Sequence, residues 1–287
     1  MPSPLIMVVL RCMNTVVRNI TLWAGFFLFL AASPCHGQTF MERGPRLMGL
    51  GGAGVALPAD QWMGANPAAL AQMEGFGAGL FAGQAFELSE FRLGAVYALH
   101  GFSWGTVRAG AQSFGFDAFR EHQFPLSLAR SFEFGTTRAV SVGAEARYYH
   151  VRMDGFGSDA SVGLSLGMQV HFSPELQFGV STTNLNEPAL GDEDELPRSL
   201  QAGVAYLPRG PVTLLLDVVK DVRFPVSYRG GVEVAPVDAL RLRGGMATEP
   251  TRFTVGVGLH LGRIVADVAT DRHEVLGWSP VVGVSFR

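Results

Sequence analysis

Past residue 37 the sequence holds no cysteine, because its two, Cys12 and Cys35, both fall near the start. A chain cut after Gly37 can form no disulfide, no zinc–thiolate centre and no thiolate nucleophile. Beyond that point there is also no apolar run near the roughly 20 residues that a membrane-spanning helix requires, which excludes helical spans. A basic excess is missing: the formal charge of −3 becomes −5 once Arg11 and Arg18 are removed. Neither nucleic acid nor an anionic surface is then a natural partner. Local catalytic motifs are lacking as well. No HExxH, no paired carboxylates and no Ser–His–acid arrangement can be read, and His100, His122, His150, His171, His260 and His273 stand singly. The expectation is a protein without catalytic residues, metal or cofactor; a constellation assembled from separate strands is the alternative.

What is present begins with an export signal over residues 1–37. A basic region with Arg11 and Arg18 leads into the apolar run Ile20 to Ala32, followed by the small and polar stretch Ser33 to Gln38. Cleavage is expected after Gly37, with an uncleaved anchor as the alternative.

From Gly75 onward the hydrophobic period is two. In Ala160 to Phe172, the residues Val162, Leu164, Leu166, Met168 and Val170 share one face, while Ser161, Gly163, Ser165, Gly167, Gln169 and His171 share the other. Thr251 to Leu261 repeats the pattern. About 14 such segments run from 76–88 to 276–286, a length and number that suit a transmembrane antiparallel β-barrel. Long connections are expected at Ser113 to His122, Arg152 to Gly157, Asn184 to Pro197, Lys220 to Pro225 and Asp271 to Val275, with tight turns at the other end. A secreted β-sandwich or jelly roll would also alternate.

Between signal and strands lies the stretch from Leu47 to Ala71, LMGLGGAGVALPADQWMGANPAALA. Its glycines at 49, 51, 52 and 54, together with Asn66, Pro67 and Ala68, allow tight turns and close approach to other backbone. The expected organisation is therefore a signal at 1–37, a plug (hatch) segment at 38–74 and a barrel at 75–287, with Gly49, Gly51, Gly52, Gly54, Asn66, Pro67 and Ala68 forming the plug.

Ionisable residues on the polar strand faces are the lumen candidates: Glu145, Arg147, His171, Asp217, Arg229, Glu233, Arg241, Arg243, His260 and Asp267. Inside a narrow barrel such groups pair with one another and with a plug; a path lined by them is the alternative. The acidic run Gly191 to Glu195 lacks the spacing of a calcium loop and reads as a solvated tip. GLGGAG at 49–54 follows no hydrophobic strand and is a poor nucleotide loop. Trp104, Tyr148, Tyr149, Tyr206, Tyr228 and Trp278 are placed as interfacial aromatics would be, and core or loop packing would explain some of them equally well. Phe286, beside the C-terminus, is the expected assembly signal on a last strand that must close against the first.

The segment RLMGLGGAGVALPADQWMGANPAALA resembles the N-terminal plug of PorV/PorQ-type proteins, which are themselves similar to the FadL long-chain fatty-acid transporters. TTNLNEP, LPRSLQAGVAYLP and the closing GWSPVVGVSFR resemble further PorV-type features. The resemblance implies a 14-stranded outer-membrane barrel with an N-terminal hatch. It also implies one of two roles: passive transport of small hydrophobic compounds, or a non-enzymatic shuttle or scaffold in type IX protein secretion or envelope organisation. The partners implied are outer-membrane lipid, the barrel-assembly machinery, and either a hydrophobic small-molecule ligand or a secreted protein cargo.

Overall fold

The computed structural model describes residues 43–58, 64–135, 137–191 and 194–287. The export signal, the start of the plug segment, its stretch 59–63 and part of the acidic run lie outside the described residues. Fourteen antiparallel strands close into a barrel in simple up-and-down order. They are β1 (Gly75–Gln84), β2 (Arg92–Phe102), β3 (Gly105–Phe116), β4 (Phe119–Phe134), β5 (Arg138–Met153), β6 (Gly157–Ser173), β7 (Leu176–Thr183), β10 (Ser199–Tyr206), β11 (Val212–Asp221), β12 (Ser227–Val237), β13 (Leu240–Thr248), β14 (Thr251–Leu261), β15 (Ile264–His273) and β16 (Gly277–Phe286). A two-stranded ribbon, β8 (Ala189–Leu190) with β9 (Asp194–Glu195), stands in the long connection between β7 and β10.

The period of two sets the architecture. Leu164 and Leu166 are 46% and 47% exposed, while their strand neighbours Ser165 and Gln169 are buried; Val255 and Val257 face out around the buried Thr254. Large apolar side chains cover the outside and most buried polar and charged groups line the inside, the inverse of a water-soluble protein. Closure removes the sheet edge, whose unpaired N–H and C=O groups would otherwise cost several kcal/mol each in hydrocarbon. It is made where the sequence requires, between β1 and β16, from Ala78 opposite Phe286 to Gly83 opposite Val281. No described helix is long and apolar enough to cross a membrane.

Several expected boundaries move. Ser113 to His122 is not a long loop: β3 and β4 continue to pair, Ser113 with His122 and Phe116 with Phe119, leaving only Asp117 and Ala118 between them. Alternation persists through this stretch, and Gly115 supplies a positive φ of 110° just before the turn. β5 likewise runs on to Met153, β11 to Asp221 and β15 to His273, so the asymmetry between the barrel's ends lies in strand overhang more than in loop length. In contrast, β1 stops at Gln84, four residues short of the expected Leu88. A 3-10 turn follows at Ala85–Glu87, where Phe86 and Glu87 adopt positive φ.

Candidate functional site

The inner wall is built around a folded segment that precedes β1. Helix α1 (Pro45–Gly49) opens with Pro45 at its first turn, and a 3-10 turn (Pro67–Gln72) opens with Pro67 after the cap residue Asn66. Leu47, Leu50, Ala53, Val55, Ala56, Leu57, Ala68 and Leu70 are fully buried. Wall and segment approach each other through glycines on both: a Cβ at Gly231 of the wall would lie 2.6 Å from the carbonyl oxygen of Leu50, and one at Gly51 of the segment would lie 2.6 Å from the backbone nitrogen of Met246. Gly143, Gly167, Gly179 and Gly245 take the same close approach from Pro67 and Ala68, Asn66, Val55, and Leu50 and Gly51 in turn.

Short segments without a ladder must place their backbone groups on side chains. Asp217 Oδ2 accepts from the backbone N–H groups of Gly54 (2.6 Å) and Val55 (2.9 Å) and from Gln201 Nε2 (2.9 Å). Gly51 N–H donates to Thr254 Oγ1 at 2.8 Å, and that hydroxyl donates to the carbonyl of Gly49 at 3.1 Å. Gln169 donates to the carbonyls of Val55 and Leu57, both at 3.0 Å. Asn66 joins both parts of the segment to the wall. Its Oδ1 accepts from Ala68 N–H at 2.9 Å, and its Nδ2 donates to the carbonyls of Val55 at 2.7 Å and Met168 at 3.1 Å.

Seven of the ten lumen candidates are hydrogen-bonded or ion-paired to other inner groups, in several clusters, and an eighth, Arg229, lines a cavity among them. Glu233 takes Arg46 of the segment at 2.9 Å and Arg243 at 2.7 Å, and Arg243 reaches Asp267 at 2.5 Å. Glu145 lies between Arg147 (2.6 Å) and Arg108 (3.0 Å), with Ser127 donating to it at 2.7 Å. Arg229 faces Arg43 and Arg252 across a polar cavity of about 20 Å³ also lined by Thr254 and Asp271. His171 meets Gln72 of the segment, and Asp217 holds the segment's backbone as described. Two candidates stand apart. Arg241 turns its guanidinium to the carbonyls of Val237 and Asp238 beside a turn, and His260 contacts Arg287 at the chain end, at 3.5 Å.

Sequence reasoning missed Arg108, Arg252 and Asp271, although each stands on the inner side of an alternating strand. Of the candidate interfacial aromatics, Tyr149 follows the alternative of core packing. It is buried, donating its hydroxyl to Asn184 Oδ1 at 3.1 Å, while Asn184 Nδ2 donates to Pro197 O and so ties down the base of the long loop. Trp104, Tyr148, Tyr206, Tyr228 and Trp278 do face out.

A different feature lies across the barrel. The β3–β4 ladder pairs Ala109 with Leu126 and Gln112 with Gln123, but forms no pairs at Gly110 and Ala111 opposite Phe124 and Pro125. Pro125 brings no N–H to the ladder. A groove of about 320 Å³ lies against this interruption, lined by the outward Leu80, Val96 and Phe124 and by the inward Phe81, Ala95 and Gln112.

No protein-family model and no curated protein matches the chain. Solved structures do. The CymD monoaromatic hydrocarbon channel is 14% identical with a TM-score of 0.64, over 87% of this chain and 98% of that one. The toluene transporter TbuX of Ralstonia pickettii is 15% identical with a TM-score of 0.60, over 85% and 98%. A Pseudomonas aeruginosa FadL homologue is 10% identical with a TM-score of 0.54, over 84% and 97%. At such identities the likeness is one of fold: a FadL- and TodX-type barrel.

Proposed function

We propose that this protein is a passive, non-enzymatic outer-membrane channel for small hydrophobic compounds, with the buried segment before β1 as its plug. The apolar exterior supports a bilayer setting, since Arg at the midplane of such a surface costs about 2–4 kcal/mol while Leu and Val are at home there. The barrels it resembles in fold include channels described for monoaromatic hydrocarbons and toluene. Export by a signal over residues 1–37, and presentation of Phe286 on the closing strand to the barrel-assembly machinery, belong to the same reading.

The observation that carries the proposal is the groove at the interrupted β3–β4 ladder. Where a wall has lost pairing and is lined largely by apolar groups, an apolar solute can move between lumen and bilayer with little contact with water. The test is uptake of radiolabelled toluene by cells making the protein, compared with cells making none. A saturable rise above background is expected. Uptake equal to that of the empty host, with the folded barrel present in the outer membrane, would overturn the reading.

The ribbon β8–β9 favours a second reading. A structured loop of this kind, tied at its base by Asn184, is what a PorV-like shuttle or scaffold would offer a secreted protein cargo. Deleting residues 189–195 should leave hydrocarbon uptake intact under the first reading and abolish cargo binding under the second.

A further inference from the structure

We infer that the wall groove takes ligands carrying one neutral hydrogen-bonding group, and that Gln112 is the residue that reads it. The inference rests on the reading of the barrel as a conduit for hydrophobic compounds. It narrows that class to amphipathic molecules: an apolar body with a single hydroxyl, the group that both accepts and donates.

Gln112 sits on β3 at the lower margin of the unpaired stretch, lining the groove. It is 2% exposed, and neither Nε2 nor Oε1 has a hydrogen-bond partner. Exchanging the two atoms in an amide flip would leave both unpaired. Nearby inner glutamines behave otherwise. Gln123, directly across the ladder, donates to Glu121 at 2.7 Å and accepts from Arg147 at 3.1 Å, and Gln201 donates to Asp217 at 2.9 Å. Buried polar groups are almost always paired, so a carboxamide with both ends open beside a groove is a site awaiting a partner.

The chemistry of the lining then selects that partner. Phe81, Ala95, Val96 and Phe124 make most of the lining, Ser113 and His122 are its other polar side chains, and no carboxylate, Lys or Arg stands in it to hold an ion; a bare hydrocarbon would cover the carboxamide while pairing neither end. A hydroxyl accepts from Nε2 and donates to Oε1, so one small group satisfies both. Sites built to hydrogen-bond a substrate hydroxyl reject the analogue lacking it far more strongly than apolar pockets tell apart methylenes.

The test uses the full chain in lipid nanodiscs and three radiolabelled solutes of one shape: p-cresol, 4-methylanisole and toluene. Binding is measured by equilibrium dialysis after subtraction of empty nanodiscs. On the unaltered chain p-cresol should bind at least about tenfold more tightly than toluene, with 4-methylanisole, which accepts but cannot donate, between them. In Gln112→Met, an apolar side chain of similar length, the three should converge while the barrel keeps its heat-modifiable mobility on gels. Equal binding of p-cresol and toluene to the unaltered chain would overturn the inference and leave the hydrophobic conduit standing. An unchanged preference in a folded Gln112→Met would also overturn it. Failure of all three solutes to bind would remove the conduit reading itself.

Discussion

The two sides of the barrel's interior differ. Along β11 to β15 the inner face carries Asp217, Arg229, Glu233, Arg243, Thr254 and Asp267, and nearly all of them hold one another or the segment before β1. On β1 and β2 the inner face is apolar, with Phe81, Leu93, Ala95, Tyr97 and Leu99 packed in one cluster beside the groove. One side holds the segment by geometry and charge, the other mainly by apolar packing. A segment bonded mostly to β6, β7 and β11 to β15, and packed through Met48, Leu70 and Met73 against the β1–β2 cluster, leaves the nearby groove to apolar bodies, with Gln112 as its open polar group.

The largest effect should come from the charged side. Arg243→Ala leaves Glu233 and Asp267 buried with less to neutralise them and should cost about 3–5 kcal/mol in guanidinium unfolding of the refolded barrel. A cost near zero would mean that the network only decorates the wall. Next, Leu166→Arg places a charge on the outer face and should cost about 2–4 kcal/mol, whereas the effect of Ser165→Arg is set by interior space. Identical unfolding midpoints for the pair would erase the distinction between inside and outside.

A smaller change sharpens the segment's role. Asn66→Ala removes the acceptor for Ala68 N–H and the donor to Val55 and Met168, at about 1–3 kcal/mol. Single-channel current in planar bilayers should rise as the segment loosens; an unchanged trace would separate it from gating. Smallest in stability is Pro125→Val, which restores an N–H opposite Gly110 and should gain up to about 1 kcal/mol. Its telling readout is toluene uptake, which should fall as the ladder closes.

Most of the barrel was legible because alternation is local: each strand states its own inner and outer face, and strand number follows from counting. The expected loop at Ser113 to His122 failed because Ser113, Gly115 and Asp117 resemble turn composition, while the continued pairing is decided by the facing strand. Interior partners were less legible. Arg46 and Glu233 are 187 residues apart, and only the closed register brings them together. Arg108 was missed although Thr106 and Gln112 mark the same inner face. The β3–β4 interruption needed Pro125 to be seen opposite Gly110, a fact of register and not of either strand alone.

The segment before β1 is made ahead of the strands, yet its bonds run as far as β14. Gly51 meets Thr254 across 203 residues, and Gly54 meets Asp217 across 163. Loop closure of that span is costly and slow to be rewarded. The segment is also continuous with β1, the strand that β16 must find to finish the cylinder. The segment's bonds therefore cannot all form until β11 and β14 are in place, although the segment is synthesised ahead of every strand.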